Sequence, residues 1–376
     1  MRVVALELTL SSCQVRADGG MMSTVRQPID LPVDPMLAKA VAEVPDADAV
    51  TGGYLYEPKW DGFRCLVLKD GDEVELASRG KKPLTRYFPE VVQACREHLP
   101  ARVVLDGEIV VRTGEPGAQR LSFEALGQRI HPAASRVARL SEETPAEVVA
   151  FDLLALGEDS LMDSPFAQRR ERLETVLAGL APAAPIHLTR VTRDAEEARR
   201  WFERFEGAGL DGVIAKPLDG AYAPGRRAML KVKHKRTAEA VVTGYRVHKS
   251  GEGVGSLLLG LYQDGQLYNV GGISAFTMAR RRELVEELAS LVQRDEDGQV
   301  AHAETDRSRF SSSKDVSYVP LRPERVVEVA FDQLEGWRFR HTVQLLRWRP
   351  DRDPESCTLD QIDRAPAYDL GDVLDR

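Results

Sequence analysis

The chain has 376 residues, 43% hydrophobic and 29% charged, a balance that fits a soluble globular protein of two or three domains and excludes disorder or collagen-like repeats over most of its length. No run approaches the ~20 apolar residues needed to cross a bilayer, so a membrane protein is excluded. With 51 basic and 59 acidic residues the formal charge is −8, which argues against a protein that coats nucleic acid with its whole surface but leaves room for a local basic groove.

Residues 1–24 open with one Arg, Arg2, and then a short apolar run interrupted by Glu7, with no small-residue cleavage site. They read as a disordered extension rather than a signal peptide, with Met21-Met22 an alternative start. The four cysteines, Cys13, Cys65, Cys95 and Cys357, lie far apart and form no CxxC pair. That removes a zinc ribbon, argues against a disulfide framework, and fits a reducing cytoplasm.

The Pro-rich stretch 27–45 reads as an extended arm. Alternating apolar residues predict strands over 63–68 and 74–78, joined through Lys69-Asp70-Gly71-Asp72 as a hairpin. A helix is expected over 88–99, a strand over 102–111, a helix over 123–130 and a buried strand over 147–156. Amphipathic helices follow at 165–180 and at 195–206, the latter closed by Gly207, and then strands at 212–216 and 229–233.

Beyond Arg236 the pattern changes to strands at 240–247, 256–262 and 266–270, the last two joined by Asp264-Gly265. A helix at 277–291, a charged loop at 294–313, and strands at 325–331 and 339–347 complete it. Five strands with one helix is the tally of a small OB-type barrel. The end, 351–376, carries eight acids against three Arg and reads as a partly ordered, solvated acidic tail. The expected division is 1–24 extension, 25–236 first domain, 237–350 barrel and 351–376 tail.

The chemistry concentrates in Glu57-Pro58-Lys59-Trp60-Asp61-Gly62-Phe63-Arg64. A Lys between a Pro and a strand sits on a fixed element, Gly62 would let backbone approach a ligand closely, and Lys59 and Arg64 flank a place for an anionic phosphate. Alone, the segment reads equally well as a surface turn before a strand. Four pieces follow in order: Ser78-Arg79-Gly80, Leu105-Asp106-Gly107-Glu108, Phe151-Asp152, and Asp211 to Lys216 with Lys231-Val232-Lys233. Each has a bland counterpart: a solvated turn, a turn with a carboxylate, a core Phe, and an edge strand guarded by lysines. Asp152, inside so apolar a strand, needs a partner. From Lys216 to Arg236 there are seven Lys or Arg and one acid, Asp219, a concentration that favours phosphate in an acidic protein.

Taken together, the ordered series resembles the covalent nucleotidyltransferase superfamily, specifically the ATP-dependent DNA ligases. The wording EPKWDGFR, the junction KVKHKRTAEAVVTGYR and the ending WRFRHTVQLLRWRPDR are most similar to bacterial repair ligases: the ligase module of end-joining ligase D and its stand-alone relative, ligase C. No polymerase or nuclease domain accompanies the motifs, which favours the stand-alone form. One departure stands out: the family usually has Glu where this chain has Asp211.

The resemblance implies an α+β nucleotidyltransferase (adenylation) domain with antiparallel sheets and flanking helices, followed by an OB-fold barrel. It implies ATP as cofactor, with Lys59 attacking the α-phosphate to form lysyl-AMP, transfer of AMP to the 5′-phosphate of a nick in duplex DNA, and sealing by the 3′-hydroxyl. Lys231 and Lys233 would favour the neutral amine of Lys59, and a magnesium ion (manganese as an alternative) would be held by Asp211 and Asp61. Glu57 would lie near adenine, Phe151 would stack on it, and Arg64, Arg79 and Glu108 would contact ribose or phosphate. Arg347 and Arg349, with Arg338, Arg340 and Arg352, resemble the last family motif, which orients pyrophosphate; their other reading is a DNA-facing rim. Nicked DNA is the implied partner of a cytoplasmic monomer acting in DNA repair, with Ku-like or other repair proteins by analogy. Rival functions are an RNA ligase, a GTP-dependent capping enzyme, and a catalytically inactive DNA-end-binding module. An NAD-dependent ligase would bring a cysteine zinc site, which this sequence lacks.

Overall fold

The computed structural model describes residues 25–181, 184–234, 236–304, 317–362 and 366–374. The expected extension 1–24, and residues 305–313 of the charged loop 294–313, therefore lie outside the described residues. The chain divides into two compact units: residues through Val232 together with Ala365–Arg376, and Lys233–Arg364.

The first unit contains two sheets. The larger has seven strands and runs Glu73–Ser78, Phe63–Asp70, Arg102–Thr113, Ala146–Leu156, Asp159–Ser160, with Arg120–Leu121 and Ile186–Leu188 attached at its sides. Its pairings are antiparallel except that Ile186–Leu188 runs parallel to Ala146–Leu156. Side chains alternate across a strand, so each strand serves two cores. Cys65, Val67, Val103 and Leu105 pack with Val91, Val92, Cys95 and Leu173 of the helices Pro89–His98 and Phe166–Leu177. Leu66, Leu68 and Val104 point the other way, onto Met36, Tyr222 and Met229. Covering both faces explains why the sequence of Ala146–Leu156 is almost unbroken in its apolarity.

The smaller sheet runs Leu37–Val41, Arg227–Lys233, Gly212–Pro217, Tyr54–Pro58. Leu37–Val41 is parallel to Arg227–Lys233, so part of the Pro-rich arm is a strand, supplying an edge to a segment far along the chain. Gly212–Pro217 is antiparallel to Tyr54–Pro58. Between this sheet and helix Ala195–Arg204, Trp201 and Ala198 pack with Tyr54, Tyr56 and Val213. Asp194 caps that helix by accepting the backbone N–H of Glu196 at 2.9 Å.

The second unit is a curled sheet built on the long strand Arg236–Val247. One edge of that strand pairs with Val254–Gln263, and the other with Val326–Phe331 and then Ser317–Pro320. Changing partners along its length bends the strand into a barrel of the OB type, as the strand tally predicted. Gln266–Ile273 joins Val254–Gln263 through Asp264-Gly265, whose φ of 50° and 76° is the left-handed pair that a two-residue hairpin needs. Helix Met278–Leu288 buries Leu284 and Leu288 in the barrel core.

Three expectations need correction. Helix Ala134–Glu143 went unpredicted because it buries only Val137 and Leu140, too little apolar periodicity to register. The strand expected at 339–347 is broken into Arg338–Phe339, hairpinned to Leu334–Glu335, and Gln344–Trp348, because Phe339 and Val343 both turn into the core. The acidic end is not simply a solvated tail. Cys357, Leu359 and Ile362 are buried in the second unit's core, while Leu370 and Val373 are buried in the first, with Tyr368 5.3 Å from the Phe205 ring. The acids are interspersed with these apolar residues, which composition alone did not reveal. Among the described residues no helix is long and apolar enough to cross a membrane.

Candidate active site

Lys59 follows directly on strand Tyr54–Pro58, and the strand pairing continues past its end. The Lys59 N–H donates to the Gly212 carbonyl at 2.9 Å, and the Asp211 N–H donates to the Lys59 carbonyl at 2.9 Å. Two residues 152 apart in sequence are thus clamped side by side, and Lys59 Nζ donates to Asp211 Oδ2 at 2.6 Å. Trp60 anchors the turn: its ring is buried and Nε1 donates to Thr189 Oγ1 at 2.8 Å. The side chains of Lys59 and Asp211 are 20% and 9% exposed, so the amine stays reachable while its partner is sheltered.

The Asp61-Gly62 turn crosses the strand Arg102–Thr113. A Cβ on Gly62 would stand 2.1 Å from the Ile109 carbonyl oxygen, and the Gly62 N–H donates to Glu108 Oε1 at 3.2 Å. The glycine is therefore required by this chain's own backbone. Asp61 is half-buried in the same turn and within electrostatic reach of Glu108. Burial pushes the Glu108 carboxyl up to about 7, against the opposing pull of Arg64 and Lys59.

Arg64 lies opposite Glu108 in register and grips the fully buried Asp106 with two hydrogen bonds of 2.5 and 2.6 Å. Burial opposes the guanidinium charge, but Asp106 outweighs it and holds the Arg64 pKa above its usual value. Tyr222 donates to the same carboxylate at 2.6 Å. The Arg64 guanidinium sits 4.5 Å from the centroid of the Phe151 ring.

Behind Phe151 is a second buried layer. Glu57 Oε2 is 2.9 Å from Lys216 Nζ, each side chain 3% exposed, and Lys216 also donates to the Phe151 carbonyl. Burial raises the Glu57 pKa against the pull of Lys216. Glu57 Oε1 is buried with no hydrogen-bond partner among the described residues. Asp152 has the partner its apolar strand demanded: Arg169 of helix Phe166–Leu177, at 2.7 and 3.1 Å, both residues almost wholly buried.

Glu57, Lys59, Asp61, Arg64, Glu108, Phe151 and Asp211 are thus joined by contacts in the first unit. Arg79 is exposed in the turn after Glu73–Ser78, where Ser78 Oγ accepts the Lys82 N–H. Lys231 is half-buried on strand Arg227–Lys233, beside Ala40 in register. Lys233 pairs with Asp332 at 3.3 Å. The Lys59 amine itself meets the Asp211 carboxylate. In the second unit, Arg347 donates to Glu328 at 2.6 Å, and Arg349 is held by Asp351 at 2.8 Å and by Glu239. Sequence reasoning missed Lys216, Asp106, Arg169 and Tyr222 as supports; only the isolated Asp152 signalled that such a layer must exist.

Among the described residues no group of three or more His, Cys, Asp or Glu could cage a metal. Magnesium keeps several waters and is bound through one or two carboxylates plus substrate phosphates, so the hard oxygens of Asp211 suit it without a cage.

Two family models match in order: the ATP dependent DNA ligase domain over residues 35–233 and the ATP dependent DNA ligase C terminal region over 250–352. DNA ligase C2 of Mycolicibacterium smegmatis is 55% identical over 353 residues, 90% of this chain and 96% of that protein. DNA ligase C of Mycobacterium tuberculosis is 53% identical over 362 residues, 92% and 98% of the two chains. A solved Lig E DNA ligase, 18% identical, superposes with a TM-score of 0.52 over 84% of this chain and 100% of its own, a likeness of fold. With both regions matched and relatives above half identity covered nearly end to end, the chain belongs to the ATP-dependent DNA ligases.

Proposed function

We propose that this ligase seals nicks in duplex DNA with ATP and that Lys59 is the residue that carries AMP. The observation behind this reading is the Lys59–Asp211 pair, fixed by reciprocal backbone hydrogen bonds with the amine still reachable. Lys59 Nζ attacks the α-phosphorus of ATP; the N–P bond forms as the P–O bond to the β-phosphate breaks and pyrophosphate leaves. The amine must shed a proton first, and Asp211 Oδ2, 2.6 Å away, is an acceptor within reach. The nick's 5′-phosphate then takes AMP from Lys59, and the 3′-hydroxyl attacks that phosphorus, joining the strand and releasing AMP.

Glu57 Oε1 is a buried acceptor that suits the exocyclic amine of adenine, and Phe151, whose ring face now meets Arg64 at 4.5 Å and Lys216 at 4.8 Å, is the ring assigned to stack on the base. Arg64 and Glu108 stand beside that face for ribose and phosphate, with Arg79, Lys231 and Lys233 further phosphate contacts. A magnesium ion held by Asp211 and Asp61 would offset charge on the phosphates. The shorter reach of Asp211 compared with Glu is matched by its backbone clamp to Lys59. Repair of DNA breaks is the role proposed for the reaction.

The test offers the purified protein ATP, GTP and NAD separately and then a nicked duplex. ATP alone should label the protein, with the added AMP mapping by mass spectrometry to Lys59. Lys59→Ala should lose both labelling and sealing entirely. Labelling of that variant, or labelling by GTP in its place, would overturn the assignment.

A further inference from the structure

Among the described Phe, Tyr and Trp residues, Tyr268 and Trp337 are the only exposed ones, at 42% and 51%. They stack on each other, centroids 6.0 Å apart and planes 23° from parallel. Every other described ring is at least half hidden, so two side by side on the surface of the second unit call for a reason. Trp337 stands in the tight turn between Leu334–Glu335 and Arg338–Phe339, and Tyr268 on strand Gln266–Ile273.

Each ring is the chain neighbour of a residue lining a cavity of about 320 Å³: Arg338 after Trp337, and Asn269 after Tyr268. Arg246, Arg340 and His341 also line it, and none of its lining residues is a carboxylate. In a protein of net charge −8 that is a local concentration of positive charge. Aromatic faces beside clustered arginines are what a single nucleic-acid strand meets when its bases stack and its phosphates are held.

We propose that Tyr268 and Trp337 form a stacking platform for an unpaired base of the DNA substrate, with the adjoining phosphate held at the arginine-lined cavity. A base inside a duplex has both faces covered by its neighbours, so an exposed ring pair can stack only on a base left open at a gap, a flap or a frayed end. The platform therefore favours nicks that carry an unpaired nucleotide. This rests on the reading of the chain as acting on nicked DNA.

The test measures binding of the full chain by fluorescence anisotropy, at one fixed salt concentration, to three duplexes. One has a fully paired nick, one an extra unpaired thymidine at the nick, and one an abasic residue in that place. Stacking on protein aromatics is worth roughly 5- to 150-fold in affinity per base. The unpaired thymidine should bind at least fivefold tighter than its abasic counterpart. Trp337→Ala with Tyr268→Ala should erase that difference while leaving paired-nick affinity within about twofold and lysyl-AMP formation unchanged; Trp337→Phe should keep most of it. Equal affinity for thymidine and abasic duplexes, or a preference that survives the double variant, would overturn the platform. In either case normal sealing of the paired nick leaves the ligase reading standing. Failure to bind any of the duplexes would overturn both.

Discussion

Residue by residue, the site is a set of charges whose partners are set by burial. Glu108 is the clearest case, because burial pushes its carboxyl from the ordinary 4.5 up to about 7. Raised above its unfolded value, the group contributes stability that is fully present below about 4.5 and is lost as pH rises through about 7. Glu108→Gln keeps an acceptor for the Gly62 N–H and removes the titration. Thermal melts from pH 4 to 8 should show the variant gaining on the wild type as pH rises and levelling off above about 7; a constant difference would show that the carboxyl does not titrate there. Burial raises Glu57 in the same direction, against the pull of Lys216; replacing Lys216 alone would leave that buried carboxyl without its paired cation, a change typically costing ~3–5 kcal/mol.

At the scale of elements, the turn that carries Lys59 is shaped by what lies beneath it. A side chain at position 62 would meet the Ile109 carbonyl at 2.1 Å, and backbone cannot yield as a flexible side chain can. Gly62→Ala should cost ~1–3 kcal/mol, as overpacking does, and displace Lys59 enough to slow lysyl-AMP formation. Stability and labelling should fall together; a stable variant labelling at the normal rate would contradict this. The C-terminal segment is held by similar local packing. Leu370 is fully buried, its N–H donates to the Gln119 carbonyl at 2.8 Å, and Asp369 accepts the Gln119 N–H at 3.0 Å. Leu370→Ala should lower stability by about 2–4 kcal/mol in urea unfolding, whereas a solvated tail would show no change.

For the whole molecule, the chain leaves the first unit after Val232 and returns to it at Ala365. The second unit carries Arg347 and Arg349, and its acids Glu328, Glu239 and Asp351 already hold both. If these arginines orient the departing pyrophosphate, their double Ala variant should fail to form lysyl-AMP from ATP yet still seal a nick already carrying AMP, since no pyrophosphate leaves in that step. If they form a DNA-facing rim, self-labelling should survive, and nick binding should weaken with a shallower dependence on salt. Assaying one variant on ATP alone and on the pre-adenylated nick separates the two.

The sequence by itself determined most of the strands and helices, because apolar period and turn residues are local properties. It also pointed to the family and to Lys59, because Lys59, Asp61, Gly62 and Arg64 are read from eight consecutive residues. Only the tertiary structure decided which charges meet. Asp211 touches Lys59 across 152 positions, Arg169 reaches Asp152 from a helix that the sequence showed only as amphipathic, and Arg64 spends two hydrogen bonds on Asp106. An arginine reads the same in sequence whether it faces water or a buried carboxylate. Which it faces depends on the strands that become neighbours, and that long-range choice is made by burying the two cores on either side of the large sheet.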